Sequence, residues 1–365
     1  MATSESPSAK IRHQMRKESE EDRLYQRSKT VNRLRKNLRE TEEDLKSQNV
    51  FTLEELAAVT AKIKHASQTS LLDLRTLKQA LFNPMNAVHF LKITGSLQAL
   101  VGHLTGRKAL HQLEAAYICC NLATANEHSC DAVANSAGPY LIQYLDCQNI
   151  SLQVACLWTL GNLSSGSSKS FGILQAQGLS NCLINCLRNP HSEVIEAAVY
   201  ALCLMLKSCE FSSDQRKEIA SLAVGLKCCK EDVDWLLYLL SCNSDCDQIF
   251  LENLIPQRCI ITLAGLARDA PINLDTLSAL RSVTALVRTS ANLCSEESGK
   301  AALMILAHDS FPNIFNNLLQ ASHPHLREEA QWLGLTLLRH SSPEISQKTC
   351  ILGLDKLMNA NDHPC

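Results

Sequence analysis

The groups in this sequence best able to do chemistry are thiols and imidazoles, 17 Cys and 12 His along 365 residues. Cys182/Cys186 and Cys242/Cys246 are spaced four apart, which on a helix turns both thiols of a pair to one face. A structural zinc needs four ligands, and the nearby His residues do not have the spacing of a finger or ribbon. With this many Cys and His, pairs arise by chance, so no metal is expected. There is no phosphate loop, no G-x-S-x-G elbow and no H-E-x-x-H pair. The expectation is a chain that binds and does not catalyse, with no cofactor.

What recurs is a helical unit built around an aromatic residue. It reads Leu113-Glu-Ala-Ala-Tyr117-Ile-Cys-Cys-Asn121-Leu, then Val154-Ala-Cys-Leu-Trp158-Thr-Leu-Gly-Asn162-Leu, then Glu196-Ala-Ala-Val-Tyr200-Ala-Leu-Cys-Leu204. A later copy is Glu329-Ala-Gln-Trp332-Leu-Gly-Leu-Thr336. Tyr117, Trp158 and Tyr200 are 41 and 42 residues apart. A second unit alternates with it, a Gly opening a short apolar helix at Gly95, Gly138, Gly178 and Gly353. Similar helices without the Gly occur near Ile219–Leu226, Leu254–Leu266 and Phe311–Leu319. A period near 40 with two or three helices per unit is the pattern of armadillo or HEAT repeats, in which no unit closes its own core and neighbours must stack.

Composition agrees. Apolar residues make up 45% and aromatics 5%, which suits Leu-, Ala- and Cys-rich helices better than a sandwich or barrel. No apolar run reaches the length of a membrane span, and Val194–Leu206, interrupted by Glu196, reads as a core helix. Without a signal peptide, the cysteines are expected reduced and buried, in the cytoplasm and nucleus. Net charge is −2, so attraction of the whole chain to nucleic acid is not expected.

The charge is uneven. Residues 1–50 hold 12 Lys+Arg against 9 Asp+Glu, leaving 23 against 28 for the rest. Residues 1–10 read as a disordered tail. Residues 11–50 read as a charged helix with one narrow apolar stripe (Leu24, Val31, Leu34, Leu38, Leu45), compatible with a solvated helix or a short coiled coil. Residues 51–365 hold about seven repeats, the last a fragment. A Trp or Tyr inside such helices can be either core or a ligand slot.

The Glu-Ala-Ala-aromatic-x-x-x-Asn wording, followed by Trp158-x-Leu-Gly-Asn162, resembles importin-alpha, the adaptor that binds nuclear localisation signals. The N-terminal run Arg33-Leu34-Arg35-Lys36-Asn37-Leu38-Arg39, closing at Asn49-Val50, resembles the end of that family's importin-beta-binding region. The likeness is specific at residues 31–50 and 111–166. It implies an all-α, armadillo-repeat, right-handed superhelical solenoid with a charged N-terminal helix. In such a groove, Trp side chains hold the aliphatic stems of a guest's Lys and Arg residues, and Asn residues four positions on clamp its backbone.

Carried over by residue, Tyr117/Asn121 and Trp158/Asn162 are complete rungs. Tyr200 is followed by Leu204 and Trp235 by Leu239. Arg281 matches a family arginine, followed by Ala285, and Trp332 is followed by Thr336. Gly166 stands where the family has an Asp. The implied partners are basic signal-bearing proteins and, through Arg33, Arg35, Lys36, Asn37 and Arg39, an importin-beta-type carrier, with the chain a monomer. The alternative is an armadillo scaffold that has lost signal-receptor activity.

Overall fold

A computed structural model describes residues 51–65, 68–208, 210–266, 272, 274 and 277–360. The expected tail and charged helix, with the carrier-binding residues Arg33 to Arg39, lie outside the described residues. Helices carry the architecture, and no strand occurs among the described residues. The chain divides into two compact units, the first ending at Leu179 and the second beginning at Ser180.

Unit 1 contains α1 (Leu53–Ile63), α2 (Leu71–Ala80), α3 (Pro84–Lys92), α4 (Ser96–Leu104), α5 (Ala109–Leu122), α6 (Glu127–Gln143), α7 (Ile150–Gly166) and α8 (Ser168–Ala176). Each start is written locally. Thr52 and Ser70 form capping boxes with Glu55 and Asp73, and Asn126, Asn149 and Ser167 each cap a helix with a side-chain oxygen. α5 packs between α2 and α7. Nine of its fourteen residues are buried, and the small side chains of Ala115, Ala116, Cys119 and Cys120 let both neighbours approach.

The repeat period is visible in the hydrogen bonds. His103 Nε2 meets Ile63 O at 2.9 Å and Tyr144 Oη donates to Leu104 O at 2.9 Å, each 40 residues away. Asn121 donates to Lys78 O at 3.0 Å and Thr159 to Ala116 O at 3.2 Å, each 43 residues away. These bonds join like places on successive repeats, as stacking of units without private cores requires.

Unit 2 contains α9 (Leu179–Cys186, starting at the junction), α10 (Ser192–Ser208), α11 (Ser213–Ala223), α12 (Lys230–Ser241), α13 (Asp247–Glu252), α14 (Ile255–Leu266), α15 (Leu277–Cys294), α16 (Lys300–Leu306), α17 (Phe311–Leu319), α18 (Pro324–Leu338), α19 (Pro343–Ile351) and α20 (Leu354–Ala360). Its long helices α10, α12, α15 and α18 pack as a row, each against the next. The bonds between α12 and α15 span 48 to 51 residues: Ser282 Oγ to Asp234 Oδ2 at 2.7 Å, and Asn292 Nδ2 to Ser241 Oγ at 2.9 Å. Between α15 and α18 the separation returns to 41 in Arg288–Glu329, and just past their C-terminal ends His340 meets Glu296 O across 44. The separation is therefore longer between α12 and α15 than in these bonds of unit 1.

One expected helix start is corrected. Gly138 does not open a helix; it lies within the continuous α6, which runs through Pro139. A Cβ there would come within 2.8 Å of Leu174 Cδ2, so its smallness serves the packing of α6 against α8. Gly95, Gly178 and Gly353 do take the left-handed backbone at helix starts, and Leu254 adopts it too, with φ of 55°. α10 has Val194, Val199, Leu202 and Met205 buried, the core helix anticipated from its sequence. No single helix among the described residues is long and apolar enough to cross a membrane. The described cysteines are mostly buried, and burial raises the thiols of Cys119, Cys203 and Cys259 to about 12.

Candidate functional site

In unit 1 the two complete rungs stand on neighbouring helices, Tyr117/Asn121 on α5 and Trp158/Asn162 on α7. Both aromatics are half-buried and both asparagines are buried. The amides reach back into the stack. Asn121 Nδ2 donates to Lys78 O of α2, and Asn162 Nδ2 lies 3.2 Å from Cys120 Sγ of α5. Each Asn therefore ties its helix to the one before, an interaction of about 1 kcal/mol.

The Tyr117 ring already has a cation. Lys78 Nζ lies 5.3 Å from its centroid and 2.8 Å from Glu114 Oε2, and Arg75 Nε is 3.0 Å from Glu114 Oε1. Glu114 is buried, so this small network of two cations, one carboxylate and one ring is held against the stack. Gly166 is the last residue of α7, so the place after the Trp158/Asn162 rung offers no carboxylate.

Unit 2 places Tyr200 half-buried on α10, Trp235 half-buried on α12, Arg281 on α15 and Trp332 half-buried on α18. Leu204 and Leu239 are buried, and Thr336 Oγ1 donates to Trp332 O at 2.9 Å within its own helix. The structure brings Trp235 and Arg281 together, with Arg281 Cζ 5.0 Å from the indole centroid. Arg281 Nη1 also bonds Asp232 Oδ1 at 2.7 Å.

Two further cations surround the same indole, Lys207 Nζ at 5.1 Å and Arg288 Cζ at 5.8 Å. Arg288 also lies 5.2 Å from the ring of Tyr238, which is fully buried and set edge-on to Trp235 at 5.1 Å. The Arg288 guanidinium pairs with Glu329 on α18, and both side chains are nearly buried. Burial works against the charge on Arg288, but the Glu329 carboxylate and Tyr238 more than offset it and hold the group above its ordinary value.

Sequence reasoning missed Lys78, Lys207, Tyr238, Arg288, Asn292 and Glu329. One signal was available: Arg288-x-x-x-Asn292 repeats the spacing of Trp158-x-x-x-Asn162. Asn162 reaches the residue just before its counterpart Asn121. By the same geometry Asn292, which bonds Ser241, has Cys242 as counterpart, and Arg288 has Tyr238.

Residues 126–165, which hold α6 and most of α7, match the family model for the Armadillo/beta-catenin-like repeat. An engineered protein solved by the Northeast Structural Genomics Consortium superposes with a TM-score of 0.65 at 17% identity, over 86% of this chain and 78% of its own. The designed armadillo repeat protein YIII(Dq)4CqI gives 0.54 at 15% identity, over 66% of this chain and 99% of its own. A second engineered protein gives 0.54 at 18%, over 69% and 97%. The fold is that of the armadillo repeat. At these identities the likeness is one of architecture. Stacked repeats of this kind present extended binding surfaces, which indicates a protein-binding scaffold.

Proposed function

We propose that this armadillo protein binds an extended segment of a partner polypeptide along the α5–α7 face of unit 1, acting by binding and not by catalysis. The observation that carries the reading is the pair of successive rungs, Tyr117/Asn121 and Trp158/Asn162. They lie on packed neighbouring helices, with both rings half-exposed. A guest lysine would lay its aliphatic stem along the Trp158 ring. Together with the likeness of residues 31–50 to a carrier-binding segment, this supports an importin-alpha-like adaptor in protein import into the nucleus. It would take basic localisation signals in the groove and an importin-beta-type carrier through Arg33, Arg35, Lys36, Asn37 and Arg39, moving between cytoplasm and nucleus.

A second reading, a scaffold without signal-receptor activity, is favoured by a specific observation. The Asn121 and Asn162 amides are engaged within the stack, so clamping a guest would exchange those bonds. Titration of a labelled basic signal peptide against wild type and Trp158→Ala/Asn162→Ala tests the groove, with at least tenfold weaker binding expected for the variant. Equal binding by both forms removes the unit 1 assignment. Binding of an importin-beta-type carrier to the full chain, lost on deletion of residues 11–50, separates adaptor from scaffold.

A further inference from the structure

The Trp235 cluster of unit 2 has the opposite character to a slot for a basic guest. Lys207, Arg281 and Arg288 all lie within 5.0 to 5.8 Å of one indole ring. They come from two helices, α10 and α15, that flank α12 on either side. The negative face of the indole, which attracts a guest's cation elsewhere, is here taken up by the chain's own cations. An incoming Lys or Arg would meet three like charges at close range, which is how a binding surface excludes a class of partner.

The hydrogen-bond inventory points the same way. Trp235 Nε1 and Arg288 Nε are buried N–H donors with no acceptor among the described residues. A carboxylate supplies acceptors only, the complement of such donors. The acidic groups present are committed: Glu329 to Arg288, and Asp232 to Arg281. The second pair is the more open, with 23% of the Arg281 side chain and 37% of Asp232 exposed, so a guest carboxylate can exchange with Asp232 on the Arg281 guanidinium.

We infer that the α10–α12–α15 face of unit 2 is a docking surface for an acidic segment of a partner protein, read by Arg281 and Lys207 over the Trp235 ring. The inference stands apart from the unit 1 reading, which concerns a basic guest on other helices. Arg281 is the anchoring group and Lys207 the second charge. Arg288, locked to Glu329, sets the positive potential of the floor without exchanging its partner.

The test is fluorescence anisotropy of a labelled decapeptide of alternating Asp and Glu, titrated with the full chain at 50 and 300 mM NaCl. Wild type is expected to bind, more weakly at the higher salt. Lys207→Ala/Arg281→Ala is expected to weaken binding at least tenfold, Lys207→Arg/Arg281→Lys to retain most of it, and Asp232→Asn to strengthen it several-fold by freeing Arg281. Circular dichroism and unchanged binding of any basic peptide by Lys207→Ala/Arg281→Ala control for folding, and Trp158→Ala/Asn162→Ala should leave the acidic peptide bound. Absence of acidic-peptide binding, or equal binding by wild type and Lys207→Ala/Arg281→Ala, overturns the proposal. Tighter binding of a single-stranded RNA decamer than of the peptide overturns the choice of a protein partner.

Discussion

Removing the Glu329 carboxylate should damage unit 2 more than any surface ion pair could. The Arg288 side chain is 13% exposed and that of Glu329 10%, so solvent screens the pair little. Glu329→Gln leaves the Arg288 charge buried against Trp235 and Tyr238 without its counter-ion, and breaking a pair so buried costs about 3–5 kcal/mol. Arg288→Met strands the carboxylate instead and also loses two ring contacts at 5.8 and 5.2 Å, worth roughly 1–2 kcal/mol together. Replacing both, as Arg288→Met/Glu329→Leu, removes the charges along with the need to pair them. The double variant should therefore be less destabilised than the sum of the singles by about 2–4 kcal/mol. Urea unfolding gives the three free energies. Amide exchange read separately for α15 and α18 shows whether the loss is local to the helices the pair joins. A loss below about 1 kcal/mol for Glu329→Gln, or singles that simply add, would refute the reasoning that this pair is structural and desolvated.

Other outcomes follow from single positions. Leu254 sits in the left-handed backbone region where Gly95, Gly178 and Gly353 stand at their helix starts, so Leu254→Gly should raise stability by about 0.5–1 kcal/mol in thermal or urea unfolding. Gly334 on α18 lies under Met358 Sδ and Phe315 Cζ, both within reach of any added Cβ. Gly334→Ala should lower stability by about 1–3 kcal/mol and loosen α20 in amide exchange. Asp131 accepts from Ser167 and Ser170 at the start of α8, and Asp73 from Ser70 at the start of α2. These bonds, led by Ser167 for Asp131 and by the Ser70 side chain for Asp73, hold both carboxyls below their ordinary value. With the folded value depressed, their stabilisation is full above about pH 4 and is lost as pH falls through the folded values. Asp131→Asn should flatten the acid limb of a stability-versus-pH curve for unit 1.

The repeats were legible because each is written twice over, in spacing and in caps. The aromatic positions at 117, 158 and 200 fix the period, and Thr52, Ser70, Asn126, Asn149 and Ser167 mark where helices begin. Gly138 misled because one residue type serves two purposes. At Gly95 and Gly178 it supplies a positive φ, whereas at 138 it supplies room for Leu174. Leu254 is the converse, the same backbone position without the residue that announces it.

The candidate site was less legible, for a reason that lies in the stacking. Spacing along one helix identifies which side chains share a face, but the cation above an aromatic comes from the helix next door. Lys78 reaches Tyr117 across 39 residues, and Arg281 and Arg288 reach Trp235 across 46 and 53. Those partnerships depend on the register between repeats, and the register moves between α12 and α15, where the cross-repeat bonds span 48 to 51 residues and not 40 to 44. Counting forward from Trp235 by 40 to 44 residues reaches only 275 to 279, short of both arginines. The stretched period makes Arg288 with Asn292 the continuation of the aromatic–Asn series and puts both arginines on the same indole. What surrounds each aromatic is therefore set by the register between neighbouring helices. On the proposed reading, Trp158 with Asn162 is the rung that would receive a guest's cation. At Trp235 the chain sets three cations about one ring, against the single Lys78 at Tyr117, and on the proposed reading that surface is left to attract their opposite.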